Sequence, residues 1–319
     1  MGGAGFHKWR AGGHGAIGQI HKIWENLKII LYFFSELKYN TPIKTNCPLE
    51  EGGEKEIIPM KKTIAILTAL ALAMTMVCGA FAADQADSDY IKEKGTLVVG
   101  ITDFAPMDYK DENGSWIGFD ADMASAFAKF LGVEVEFVEI EWDNKVLELN
   151  SKSIDCVWNG MTLTDEVRSA MTCSNAYCNN AQVVILPADQ AEQYKSAEEM
   201  SQLVFAVEAG SAGEAEVTAL GYECTPVQSQ ASALMEVAAG TCDAAVIDSL
   251  MAAAMVGEGT SYDSLTYTVP LNSEEYGVGF RTGSDLAQLL NEFFKTAYED
   301  GSMLACAETY GVQAALIEQ

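Results

Sequence analysis

Downstream of Ala82 the chain contains no histidine and only two arginines, Arg168 and Arg281; His7, His14 and His21 all lie upstream. That removes Ser-His-Asp and Cys-His catalysis, and histidine-ligated metals, from residues 83–319. No Walker A, GxGxxG, CxxC or HExxH pattern occurs there. The residues left with chemical potential are carboxylates, six cysteines and one Gly-rich turn. That turn, "EAGSAGEAE", runs from Glu208 to Glu216. It lacks the lysine of a phosphate cradle, and its acids repel phosphate. Free backbone N–H groups at a helix start there would still seat one carboxylate. Asp248, in "AAVIDS", ends an apolar run and stands where it could cap the helix "SLMAAAM".

The 319 residues, 49% of them hydrophobic, suit one large or two medium domains and are too apolar for disorder. The formal net charge is −27. Residues 1–82 hold nine of the 19 Lys+Arg but six of the 46 Asp+Glu, which leaves 10 basic and 40 acidic residues downstream. Such a surface excludes nucleic acid and anionic membranes as partners.

The boundary at Ala82 comes from "PMKKTIAILTALALAMTMVCGAFAADQA", Pro59 to Ala86. Two lysines, an apolar run too short to span a bilayer and a small-x-small site make residues 60–82 a signal peptide cleaved after Ala82. Acylation at Cys78 is the second reading, because Val77 replaces the small residue wanted before it. Residues 1–59 then read as a non-native upstream extension, with Met60 the true start and 83–94 an N-terminal linker.

The rest alternates between two periods. "TLVVGI" is a strand, a helix starts at Asp120 with Met123, Phe127, Phe130 and Leu131 on one face, and Gly132 stops it. "VEVEFVEIE" alternates as a half-buried strand. A short helix near 146–150, the strand "IDCVW", an "NGMT" loop, a helix over 165–171 and the strand "AQVVILP" follow. The order then restarts: "LVFAVE", a helix in "EAEVTALG", "CTPV", a helix in "SALMEVAAG", "AAVID", a helix in "SLMAAAMVG", "LTYTVP" and "YGVGF", with two closing helices. This predicts α/β units around two parallel sheets.

Five segments carry a resemblance: "VVGITDFAPMDYKDENGSWIGFDADMA", "EWDNKVLELNSKSIDCVWNGMTLT", "AVEAGSAGE", "GTCDAAVIDS" and "EYGVGFRTGSDLAQLLNEFFKTAYEDGSM". In this order and spacing, over nearly all of 95–319, the chain resembles the extracellular solute-binding proteins, family 3, of polar amino-acid ABC importers. The resemblance implies a two-lobed, periplasmic-binding-protein-like (type II) α/β fold. Each lobe would be a mostly parallel sheet flanked by helices, with lobe 1 over 95–187 and 276–319 and lobe 2 over 188–275. Hinge strands "VVILP" and "YGVGF" would join them.

The resemblance also implies a site for a zwitterion, each of whose charges needs a partner once water is expelled. For the carboxylate the matching positions are Gly160, Thr162, Ser211 and Arg168. Arg168 stands one residue later than the family spacing, a rotation of about 100° on a helix. Both a carboxylate fork and an exposed helix arginine therefore stay open. For the ammonium the match is Asp248. For the side chain, Phe104 and Trp142 match two sandwiching aromatics, with a core role open for Phe104 because the preceding loop is one residue short. Asp120 matches a loop anchor or side-chain contact, and Asn159 the pocket floor. With so few cations an acidic ligand is disfavoured, and a neutral polar or cationic amino acid is expected.

Cys224 and Cys242 open the second and third strands of lobe 2. In a 2-1-3 sheet order the first strand separates them by about 9–10 Å, too far for a disulfide. Cys173 and Cys178 flank a loop and could pair; free thiols fit the others. The expected function is the exported, monomeric binding component of an amino-acid ABC importer, delivering solute to a membrane permease without catalysis or cofactor. A dehydratase-like enzyme and a sensory binding domain on the same fold are the alternatives.

Overall fold

A computed structural model describes residues 85–319. The upstream extension, the signal peptide and Cys78 lie outside the described residues. From the N-terminal side come α1 (Asp87–Lys94), β1 (Thr96–Ile101), the hairpin β2 (Tyr109–Lys110) and β3 (Trp116–Ile117), α2 (Phe119–Leu131) and β4 (Glu134–Glu139). Next are α3 (Lys145–Asn150), β5 (Cys156–Thr162), α4 (Asp165–Ala170), β6 (Thr172–Cys173) and β7 (Cys178–Asn180). The chain then builds β8 (Gln182–Pro187), β9 (Val204–Glu208), α5 (Ala212–Leu220), β10 (Glu223–Val227), α6 (Gln230–Ala239), β11 (Ala244–Asp248), α7 (Ser249–Met255) and β12 (Leu265–Pro270). It closes with β13 (Glu274–Phe280), α8 (Leu286–Glu299) and α9 (Ser302–Tyr310).

These elements make two large sheets. The first has the order β4-β1-β5-β13-β6, with β7 also on β13; the second has the order β10-β9-β11-β8-β12. In each, three strands linked through helices run parallel: β4, β1 and β5 in the first, β10, β9 and β11 in the second. The remaining strands are antiparallel, β13 against β5 and β8 against β11 and β12. The chain passes between sheets at Ala181, between β7 and β8, and at residues 271–273, between β12 and β13. In the first lobe, Phe127, Trp158, Tyr177, Phe293 and Phe294 form a contiguous aromatic core between sheet, α2 and α8.

The structure differs from the sequence reading in four places. "VVILP" belongs to the second sheet, not lobe 1. It is apolar on both faces, and only a position between β11 and β12 covers both. The crossing therefore falls just before it, and the second falls just before "YGVGF". "NGMT" is strand rather than loop, because β13 pairs with β5 as far as Thr162. Residues 83–94 are not all linker. In α1, Ile91 is fully buried, Ser88 donates to Asp285, and Asp87 pairs with Arg281 at 3.1 Å. Phe130 is half exposed, whereas Met123, Phe127 and Leu131 of α2 are buried as the helical spacing requires.

All six cysteines among the described residues are free thiols, Cys173 and Cys178 included. Those two sit on β6 and β7, each paired to its own stretch of β13. No described helix is long and apolar enough to cross a membrane.

Candidate functional site

A cleft of about 550 Å³ opens where the two sheets face each other. The C-terminal residues of β5, β9 and β11 line it, the position at which open α/β sheets receive ligands. Lobe 1 contributes Trp142, Lys145, Asn159, Gly160 and Thr162; lobe 2 contributes Glu208, Ser211, Gln230 and Asp248.

Asp248 is 4% exposed and heavily supported. Its Oδ1 accepts from Tyr276 Oη at 2.7 Å, Gln182 Nε2 at 3.0 Å and Asn180 Nδ2, and its Oδ2 accepts from Gln230 Nε2. Its backbone N–H donates to Gln230 Oε1 at 2.9 Å. Asp248 occupies the N-cap position of α7, yet its side chain makes no capping bond. The carboxylate is turned to the cleft instead. Oδ1 is crowded with three donors, while Oδ2 has one and keeps capacity for another. Burial and the neighbouring Glu274 charge push its carboxyl up to about 7.

Glu274 ties the two crossings together. Its Oε1 accepts from Asn180 Nδ2 at 2.7 Å, Gln182 Nε2 at 2.8 Å and Thr162 Oγ1 at 2.9 Å; its Oε2 accepts from Asn272 Nδ2 at 2.9 Å. Two of the amides that orient Asp248, those of Asn180 and Gln182, therefore also tie the crossings together.

Glu208, at the end of β9, is 3% exposed, and its Oε1 has no hydrogen-bond partner. Burial first, then the charge of Asp248, raise its carboxyl to about 8 against the pull of Lys145. Lys145 Nζ reaches from lobe 1 to Gly210 O of lobe 2 at 2.9 Å and to Trp142 O at 3.2 Å, and sits 4.8 Å from the Trp142 ring centroid. Its pKa is lowered by burial, against the charges of Glu208, Asp143, Glu166 and Glu214. Lys145 is the one basic residue lining the cleft among the described residues, against the carboxylates of Asp143, Glu166, Glu208, Glu214 and Asp248.

The other expected site residues divide. Trp142, Asn159, Gly160, Thr162 and Ser211 line the cleft with Asp248. Asn159 Nδ2 donates to Thr102 Oγ1 at 2.8 Å, which fixes the floor. Ser211 Oγ caps α5 by accepting from Glu214 N–H, and Glu214 Oε2 takes the Gly210 N–H at 2.7 Å. The chain's own carboxylate thus occupies part of the helix start read as a solute seat. Phe104 does not line the cleft. It is packed beneath Gly160, edge-on to Tyr276, because the shortened loop before it draws the ring into the core. Asp120 is fully buried behind β5, where its Oδ2 accepts from Gly160 N–H and Tyr177 Oη, both at 2.7 Å. It holds the end of β5 from behind and does not line the cleft. Arg168 is exposed on α4, with Nε on Leu163 O at 3.3 Å; the one-residue offset turns it away from the cleft. Arg281 lies away from the cleft in lobe 1, on Asp87, Asp155 and Ile154 O.

Lys145, Gln182, Gln230, Glu274 and Tyr276 were not picked out from sequence. Glu274 and Tyr276 lie at the start of the strand read as a hinge, and the two glutamines lie beside strand and helix ends, where polar residues are ordinary.

Two α/β lobes, two crossings and a polar cleft at the strand ends define a type II periplasmic-binding-protein fold. The chain belongs to the bacterial extracellular solute-binding proteins, family 3, matched over residues 97–313. It is similar to the L-cystine-binding protein TcyJ of Escherichia coli (strain K12), 27% identical over 247 residues, covering 76% of this chain and 92% of that protein. Among solved structures it is similar to an ABC uptake transporter substrate binding protein from Streptococcus pneumoniae with bound histidine, 28% identical, TM-score 0.66, covering 73% of this chain and 99% of that one. It is also similar to the ancestral amino acid-binding protein AncCDT-1, a precursor of cyclohexadienyl dehydratase, 32% identical, TM-score 0.64, covering 70% and 98%.

Proposed function

We propose that this protein is the extracytoplasmic binding component of an amino-acid ABC importer. The solute lies between the lobes, and the closed, loaded protein hands it to a membrane permease. The observation that carries this reading is Asp248, a buried carboxylate held by four side-chain donors at the end of a cleft strand. Such an arrangement receives an ammonium without moving, so little of the binding free energy is lost to ordering. Trp142 offers a flat apolar wall, and Asn159, Thr162 and Ser211 offer polar contacts of the kind that orient a small zwitterion. Lys145, not Arg168, is the cation available to the solute carboxylate. The protein acts as an exported monomer and releases its solute unchanged.

A thermal-shift screen of the purified protein against the twenty amino acids tests the proposal. A solute at a hundred times its dissociation constant stabilises the folded state by about 2.7 kcal/mol. A clear shift with one or a few amino acids supports the reading, and recovery of the same molecule after incubation supports binding without turnover. No shift with any of the twenty contradicts it.

A further inference from the structure

We infer that the cleft selects an amino acid whose side chain carries a positive charge, and that Glu208 is the residue that selects it. This rests on the amino-acid reading above. β9 and β11 run parallel and adjacent, so Glu208 and Asp248 end at the same edge of the second sheet, and both line the cleft. One carboxylate suffices for an α-ammonium, and Asp248 is the one oriented for it. Glu208 is then a second buried carboxylate lining the same cavity, and one of its oxygens has no partner.

A buried acid is costly unless it is neutralised or paired, and the one lysine that faces Glu208, Lys145, is directed elsewhere. Lys145 directs its Nζ to two backbone carbonyls, and no ion pair to Glu208 forms among the described residues. Gln230 and the Thr102 hydroxyl are its neutral neighbours. An ammonium or guanidinium on the solute completes what the protein leaves open. A cationic side chain lets Glu208 give up its proton and pair, a neutral one leaves it protonated and gains no ion pair, and an acidic one adds a like charge to a cleft already lined by five acidic residues and one lysine.

Titration calorimetry with arginine, lysine, citrulline and glutamine tests this. Citrulline keeps the shape of arginine without its charge. The native protein is expected to bind arginine or lysine at least about 100-fold more tightly than citrulline or glutamine, as expected when a buried charge loses its partner. In Glu208→Gln that ratio is expected to fall below about 10-fold, with citrulline affinity little changed. Glu208→Asp, which keeps the charge, is expected to retain the preference, and Glu208→Met, which removes it at similar length, stands in if the glutamine variant fails to fold by circular dichroism. A neutral amino acid, citrulline or cystine bound as tightly as the cations overturns the inference and leaves the binding reading intact. So does full discrimination persisting in a folded Glu208→Gln. If no amino acid binds the native protein, the binding reading falls and this inference falls with it.

Discussion

Tyr276 Oη donates to Asp248 Oδ1 at 2.7 Å, and the two residues belong to different sheets. Tyr276 sits on β13, the strand that returns to lobe 1, while Asp248 ends β11 of lobe 2. The carboxylate proposed to take the solute ammonium is therefore oriented by a side chain of the other lobe, beside the crossings between the sheets. Tyr276→Phe removes one donor from a buried carboxylate without changing the ring. A hydrogen bond to a charged group contributes about 1.5–3 kcal/mol, so affinity is expected to fall by about 10-fold or more. Calorimetry with the best solute from the screen measures it.

Removing the anchor has a larger effect. Asp248→Ala leaves Tyr276, Gln182 and Asn180 without their shared acceptor and the solute ammonium without its counter-charge. Truncating one side of a buried charge pair costs about 2–5 kcal/mol, a loss of at least about 30-fold in affinity. Circular dichroism on the same variant separates lost binding from lost folding.

The raised acids give the unliganded protein a definite pH dependence. Glu208 titrates at about 8 and Asp248 at about 7, against ordinary values of 4.5 and 3.8. Between those limits the native state holds protons that the unfolded chain has released, so stability falls as pH rises from about 5 to 8. Asp248 from β11, Lys145 from α3, Gln230 from α6 and Thr102 just beyond β1 face Glu208. Thermal midpoints are expected to be lower at pH 8 than at pH 5. The slope should be shallower in Glu208→Gln but not flat, because Asp120 is also raised, to about 7.

Two cations make a contrast. Arg168 is exposed and outside the cleft, so Arg168→Ala should change affinity by less than about 2-fold. Lys145 spans the lobes to Gly210 O, so Lys145→Met should weaken binding by about 10-fold, the expected loss of a charge-assisted hydrogen bond. Equal effects of the two substitutions would contradict the assignment of Lys145 to the site.

Gly160 is held by conformation as well as by packing. Its φ is +54°, and a Cβ there would lie 2.4 Å from a ring carbon of Phe104. Gly160→Ala combines a left-handed alanine with overpacking, together about 2–4 kcal/mol. Chemical denaturation should show that loss in the absence of any solute.

The fold was largely legible because its strands and helices have clean periods. "VEVEFVEIE" alternates and is the edge strand β4, and Gly132 ends α2 in a left-handed cap. The 2-1-3 order predicted for the second lobe appears as β10-β9-β11. Helix α1 was missed because its eight residues, "DSDYIKEK", bury mainly Ser88 and Ile91 and show almost no apolar face. Within the site, Asp248, Trp142 and Asn159 were legible through the family resemblance of the segments that carry them, and all three line the cleft. Arg168 and Phe104 illustrate the limit. A one-residue shift does not alter a motif on paper, but it rotates one side chain to solvent and draws the other into the core. Glu274 reaches Gln182, Asn180 and Thr162 across 92, 94 and 112 residues of sequence, and Tyr276 reaches Asp248 across 28, and no local pattern reports such pairings.

The most direct test of the account is a crystal structure of the protein with the solute found in the screen. The account predicts electron density for the solute between the lobes, its α-ammonium within about 3.2 Å of an Asp248 carboxylate oxygen. A solute bound elsewhere, or in the cleft with its ammonium away from Asp248, would contradict it.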